Sequence, residues 1–392
     1  MELEQQAVGS NQLVSAAFMA TVLLLGISGA FQWPVLSLFL TRNTGATPMM
    51  VGAFYTVNAI AGIGMSQLIA RRSDATGNRR NLIIACCSIA VVNALLFAYN
   101  RHYWVLISLG VLMSAVSIAA MPQVFALARQ YADQTGGEVV KFTTRMRAQI
   151  SLSWIVAPPL AFFTLAHFGF TVLYLIVASL FALALVLVVA LLPSLPALPV
   201  QAIETGPNVS KTKDRDVWWL FAAFALLWAG DAMYLIDMPL YILSLSHIAA
   251  GFAGWLLGVG AGFEVLIVLF SAPLIHRFGK RPLLLVGVLS AVVFYAGMAL
   301  VDSPLALMAI QIFNALFIGI VGGMGMLYMQ DLLPAAPGSA STLYSNSVST
   351  GAIIAGLLQG LVSENLGHQP VYWVAMVISL LALGMALRVK KA

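Results

Sequence analysis

Twelve apolar stretches, each long enough to cross a bilayer, constrain this chain more than any other feature. They are Leu13–Leu40, Pro48–Ala70, Leu82–Tyr99, Trp104–Leu127, Ile150–Ala166, Thr171–Leu192, Val217–Leu243, Ala250–Ile275, Pro282–Val301, Leu305–Tyr328, Ser339–Val362 and Val371–Leu387. A hydrocarbon core needs about 20 apolar residues of helix. Barrel strands are about half that length and alternate in polarity. The stretches therefore predict helices, and the chain reads as an all-α membrane protein. Only 8% of its residues are charged and 61% are hydrophobic. Soluble domains carry about 25% charge, so a soluble enzyme and a disordered chain are both excluded.

The few charges are sorted by side. Seventeen of the 19 Lys and Arg residues fall in alternate loops, from Arg71, Arg72, Arg79 and Arg80 to Arg388, Lys390 and Lys391. Arg42 and Arg101 lie on the other side. Basic loops stay cytoplasmic, so both termini are expected there, and the lipid bilayer is the main partner. The net charge of +5 is spread over short loops, which argues against a nucleic-acid partner. Cys86 and Cys87 are adjacent in an apolar stretch and cannot staple distant segments. No basic region of a secretory signal precedes the first stretch.

The longest polar connection, about 194–216, carries Pro196, Pro199 and Pro207 after Pro193. It divides the chain into expected six-helix bundles at 1–193 and 217–392, joined by a cytoplasmic linker. The halves repeat. Gln32-Trp33-Pro34 in helix 1 matches Asp237-Met238-Pro239 in helix 7. The loop Asp74-Ala75-Thr76-Gly77-Asn78-Arg79-Arg80 matches His276-Arg277-Phe278-Gly279-Lys280-Arg281. Two six-helix halves in parallel repeat are the plan of a secondary transporter, with substrate bound near the midplane. Gly77 and Gly279 permit the positive φ of a tight turn. Asp74, Arg79, Arg80 and Arg281 supply charges that anchor the turn or latch one conformation, so these six residues form a candidate gating loop.

At these residues the sequence resembles the major facilitator superfamily, with its twelve helices in two pseudo-symmetric halves. Ala70 stands where that signature usually has glycine, Asn78 adds a residue before the arginine pair, and His276 occupies the acidic position of the second copy. Phe54 through Gly62, Met121-Pro122-Gln123 running to Ala128-Arg129, Met146 through Gln149, Ile236 through Pro239 and Met329 through Leu332 resemble the bacterial sugar efflux transporter family. That resemblance implies export of lactose, glucose and small alkyl or aryl glycosides in exchange for protons, from the bacterial inner membrane. It covers essentially all twelve helices. Pro158-Pro159 is expected to break or bend helix 5, loosely as a Gly-Pro bend does in proton-coupled antiporters.

An ionisable group inside a membrane is costly and marks function by default. Asp231 and Asp237 in helix 7 and Glu264 in helix 8 are such groups, and no Lys or Arg lies mid-helix to neutralise them. Each is a candidate proton carrier or a carboxyl bonded between helices for structure. The two aspartates are six residues apart, roughly 120° around an ideal helix, so one is expected to face a cavity and the other to pack. Asp237 aligns with Gln32 and is the better cavity candidate. A neutral sugar needs amides and aromatic platforms. The candidates are Gln32, Tyr55, Asn58, Gln123, Gln149, Trp154, Trp228, Asn314 and Asn346, each with interhelical packing as the alternative. Asn93 and Gln359 read as structural. The five histidines are expected in loops, with no metal cluster. No Gly-Lys-Ser/Thr phosphate loop is present, so no cofactor and no enzymatic reaction is expected. A multidrug exporter and a non-transporting receptor are the competing readings, and a monomer is expected.

Overall fold

The computed structural model describes residues 2–135, 138–195, 215–249, 251–334 and 336–389. The predicted linker falls almost wholly outside them, as do Lys211, Lys213, Lys390 and Lys391. The described chain is helical and contains no strand. In order the helices are α1 (Glu2–Gln32), α2 (Leu36–Thr44), α3 (Pro48–Thr76), α4 (Arg79–Tyr99), α5 (Tyr103–Val105), α6 (Val111–Ile118), α7 (Ala120–Thr135), α8 (Val139–Leu191), α9 (Arg215–Ser244), α10 (Phe252–Phe278), α11 (Lys280–Leu300), α12 (Pro304–Ala309), α13 (Gln311–Leu332), α14 (Pro337–Leu366) and α15 (Gln369–Arg388).

Ten of the helical segments are long and apolar enough to cross a membrane. One of them, Lys141–Leu191, has 51 residues and at 1.5 Å per residue would run roughly 76 Å, more than twice a bilayer core. It is two spans. Gly169 has non-helical backbone, φ 77° and ψ 179°, and turns the chain between them. α14 is 30 residues long but is diluted by Ser341, Thr342, Ser345, Asn346, Ser347 and Ser349, so its hydropathy is lower. Counting both, the described residues hold the twelve spans expected from the sequence.

Two local expectations are corrected, and the matched prolines differ. Pro158 and Pro159 do not break α8, whose backbone leaves the helical region at Gly169 instead. Positive φ at a glycine opens a turn, whereas helix neighbours can re-satisfy the backbone group that a proline frees. His167 and His276 lie in helices rather than loops. The first span breaks at Trp33–Val35, a 3₁₀ turn around Pro34, while Pro239 sits inside an unbroken α9. The matched prolines therefore have different backbones.

Two compact units are present, Met1–Val35 with Ile60–Gln201, and Leu36–Ala59 with Ala202–Ala392. In the first, α1 and α4 pack on α8. In the second, α9 packs on α14 and α15, and α11 on α13 and α15. Of those ten segments α9 is the most enclosed, with 61% of its apolar window buried against 33% for α10. Ala229 and Met233 of α9 join Ala355, Val371 and Ile378 in a core cluster. The helix that carries two carboxylates is thus largely enclosed by its neighbours.

Polar side chains inside the spans bond to their own helix. Thr21, Ser28, Ser290 and Ser379 each donate to the carbonyl four residues back, at 2.7 to 2.8 Å. This satisfies hydroxyls where water is absent. Arg101, one of the two basic residues on the minority side, has a comparable task. Its guanidinium donates to the carbonyls of Phe97, Ala98 and Asn100 and to Thr171 Oγ1. It caps the C-terminal end of α4, where a cation is favourable.

Candidate functional site

Asp237 is fully buried. Its Oδ1 accepts hydrogen bonds from Gln359 Nε2 of α14 at 2.9 Å and from His368 Nδ1 at 2.8 Å. Its Oδ2 has no hydrogen-bond partner. His368 occupies the two-residue turn between α14 and α15, after Gly367, and Ser363 Oγ lies 3.1 Å from the same Nδ1. Tyr372 of α15 lies beside the carboxyl. Burial opposes a charge on the His368 ring, but the hydrogen bond and the charge of Asp237 outweigh it, and the imidazole pKa is raised above its ordinary value. The sequence placed Asp237 toward a cavity. The structure packs it against α14 and α15, because Gln359 and His368 supply there the partners a buried carboxyl requires.

Asp231 lies six residues, about one and two-thirds turns, earlier on α9. It is buried and its Oδ1 is unpartnered. Glu264 of α10, partly buried, is close enough for its charge to act on Asp231. The phenols of Tyr234 and Tyr295 lie within reach of the Asp231 charge. Tyr234 Oη donates to Gln311 Oε1 at 3.4 Å, and Asn314 Nδ2 donates to the same oxygen at 3.4 Å. Asn314 Oδ1 and Tyr295 Oη are buried without partners. Trp228 stands near, its ring 6.3 Å from Phe317, which lies 6.4 Å from Tyr295. Asp231, Asn314 and Trp228 are thus brought into one polar and aromatic cluster.

The other predicted contacts are dispersed. Tyr55 and Asn58 are buried on α3, Tyr55 next to Ser37 and Asn58 with an unpartnered Oδ1. Gln123 accepts a 2.6 Å hydrogen bond from Ser73 and ties α7 to α3. Gln32, Gln149 and Trp154 are half-buried, and Asn346 is exposed. Asn93 donates to Ser114 at 2.9 Å. Sequence reasoning missed His368, Gln311 and Tyr234, and took Gln359 for structure. The available signal was a polar residue recurring opposite the carboxylates on α13 and α14, but the pairing of those helices with α9 was not visible.

The repeated loops share a positive-φ glycine, although the first turn has two residues between helices and the second has one. Gly77 and Gly279 have φ of 63° and 81°. Arg80 donates to the carbonyls of Val188 and Val189, at 3.4 and 2.6 Å, in the last turn of α8. Arg281 donates to the Leu387 carbonyl at 3.1 Å, in the last turn of α15. In each unit, the second basic residue after the glycine caps the last span of its own half, where the helix end is partially negative. Lys280 adds an ion pair with Asp331. The side chain of Asp74 lies outside the described ones.

The sequence matches the profile of the Major Facilitator Superfamily over residues 18–345 and 220–392. It is 48% identical over 377 residues to sugar efflux transporter A of Escherichia coli (strain K12), covering 96% of both chains. It is 42% identical to sugar efflux transporter B of Salmonella typhimurium, covering 97% of both. The chain belongs to the sugar efflux transporter family of the major facilitator superfamily. Among solved structures it resembles the nucleoside transporter NupG, with a TM-score of 0.79 at 16% identity over 95% of this chain and 97% of that one. A bacterial homologue of the lysosomal transporter Spinster follows at 0.75 and 12% identity, over 96% of each chain. At such identities the likeness concerns fold. The superfamily is one of transporters rather than enzymes, in agreement with a multi-pass inner-membrane protein.

Proposed function

We propose that the protein exports neutral sugars, among them lactose, glucose and small alkyl or aryl glycosides, by alternating access in exchange for protons. The observation that carries the reading is identity of 42% to 48% with sugar efflux transporters A, B and C over at least 90% of the chain. The cluster around Asp231 supports it physically. Buried polar atoms are seldom left unpaired, and Asp231 Oδ1, Asn314 Oδ1 and Tyr295 Oη are positions where the hydroxyls of a polyol supply partners. Trp228 adds an aromatic surface for a sugar ring. Buried Asp231 and Asp237 and partly buried Glu264 support proton exchange, with Asp237 as the proton carrier and the basic loops and both termini in the cytoplasm. The protein acts as a monomer of two bundles, 1–193 and 217–392.

Inverted membrane vesicles test this directly. Labelled lactose or glucose is expected to accumulate when the vesicle lumen is made acid, and to leak out when the gradient is collapsed. Accumulation of amphipathic drugs but no sugar would replace this reading with a multidrug exporter.

The repeated loop is proposed to gate the cycle. Gly77→Val forces a β-branched residue into positive φ, at a cost of roughly 1–2 kcal/mol or more. The expected result is slower transport with sugar affinity kept, read by transport rate against equilibrium binding. Equal loss of both would remove the gating role.

A further inference from the structure

The Asp237 carboxyl is sealed from solvent, and so are two of the groups around it. Gln359 and Tyr372 are both fully buried. The side chain of His368 is 24% exposed. It stands in the turn Gly367–His368, next to Glu364, Asn365 and Gln369, where the chain becomes polar at the membrane boundary opposite the basic loops. Among the described residues, His368 is therefore the group that both touches Asp237 and reaches the boundary. Its Nε2 has no hydrogen-bond partner there, while its Nδ1 is held to Asp237 at 2.8 Å.

We propose that His368 is the proton entrance to Asp237, passing protons from outer water through its imidazole ring to the buried carboxylate. This rests on the proton-exchange reading given above. The step balances without any other reactant. Outer water delivers a proton to Nε2 and the ring becomes imidazolium. The Nδ1–H bond then breaks as an O–H bond forms at Asp237 Oδ1. A neutral imidazole and a neutral carboxylic acid remain, so no net charge stays in the buried site, where it would be costly. Gln359 donates to the same Oδ1 and keeps the carboxyl oriented. Ser363 Oγ holds the ring edge.

Other titratable groups around the pair do not duplicate this path. Tyr234 and Tyr241 on α9 and Tyr372 on α15 are phenols, which ordinarily titrate near 10. Asp302 lies within electrostatic reach of Tyr241, and His247 is hydrogen-bonded to the Asp302 carbonyl at 3.0 Å. Glu364, in the same turn of α14 as Ser363, accepts from the Met49 backbone N–H at 3.0 Å.

His368→Gln keeps an amide that can hydrogen-bond but cannot relay a proton. The experiment compares reconstituted wild type, His368→Gln and Asp237→Asn in proteoliposomes, reading gradient-driven lactose flux and exchange at equal concentrations across pH. Because the imidazole pKa is raised, the wild-type driven rate is expected to fall as outer pH rises through a value above about 6.5. His368→Gln is expected to lose this limb and to slow driven flux about tenfold or more, with exchange retained. If the variant keeps the wild-type driven rate and pH limb while Asp237→Asn loses its drive, the entrance is elsewhere and proton exchange stands. If His368→Gln loses exchange together with drive, His368 is structural and the relay is overturned. A wild type indifferent to the pH gradient overturns proton exchange and the relay with it.

Discussion

Asp237→Asn is expected to abolish sugar efflux against a gradient while leaving exchange between equal concentrations largely intact. The substitution is nearly silent in shape. The amide oxygen takes the place of Oδ1, so it still accepts from Gln359 and His368. The amide nitrogen replaces Oδ2, which accepts no hydrogen bond among the described residues. What disappears is the capacity to carry a proton. The energetic stake is large. One proton entering down ~100 mV releases roughly 2.3 kcal/mol, and one pH unit adds about 1.4 kcal/mol. At about 1.4 kcal/mol per tenfold, together they support an uphill sugar ratio on the order of a few hundred. Without the carboxyl that ratio falls to one, although a loaded carrier still shuttles. The measurement is lactose accumulation in proteoliposomes with an imposed gradient. Wild-type accumulation in this variant would exclude Asp237. Glu264→Gln is the companion variant, since Glu264 is partly exposed and lacks the bonded partners of Asp237.

The second large effect concerns the contact between α3 and α14. A side chain added at Gly356 would lie 2.5 Å from the Gly52 carbonyl oxygen and 2.3 Å from Thr56 Oγ1. One added at Gly52 would lie 2.2 Å from the Gly356 oxygen and 2.8 Å from the Gly360 Cα. Apart from Thr56 Oγ1 the opposing atoms are backbone, so turning a rotamer cannot relieve the clash. The approach is sealed by two hydrogen bonds, Thr56 Oγ1 to the Ile353 carbonyl at 3.2 Å and Met49 N–H to Glu364 at 3.0 Å. In a membrane, helices associate through such close packing because lipid offers no hydrophobic drive. Gly356→Val is therefore expected to push the helices apart at a cost of about 1–3 kcal/mol or more. Transport is expected to fall roughly tenfold or further, since about 1.4 kcal/mol is a factor of ten. Gly356→Ala should show a smaller loss. Transport rate and thermal stability of the purified variants check this. A Gly356→Val variant indistinguishable from wild type would show that the contact is not required.

The twelve spans, their number and the repeated loops were legible in the sequence because each depends on local quantities. An apolar run of sufficient length must become a helix in lipid, whatever it later touches. Glycine before a basic pair specifies a tight turn from its own backbone freedom, and Gly77 and Gly279 both show it. The three carboxylates stood out because charge in an apolar run is conspicuous by itself. Their surroundings were a different matter. Asp237 meets Gln359 and His368, 122 and 131 residues away in the chain, and nothing in the spacing along α9 selects α14 and α15 as its neighbours. Arg80 and Arg281 read as charges that anchor a turn or latch a conformation, yet their guanidiniums cap α8 and α15, a role set by which helix ends stand beside them. The hydrophobic effect, which sorts soluble helices by face, is weak between helices in lipid. Packing of small residues and buried hydrogen bonds decides the neighbours, and those are properties of the tertiary structure.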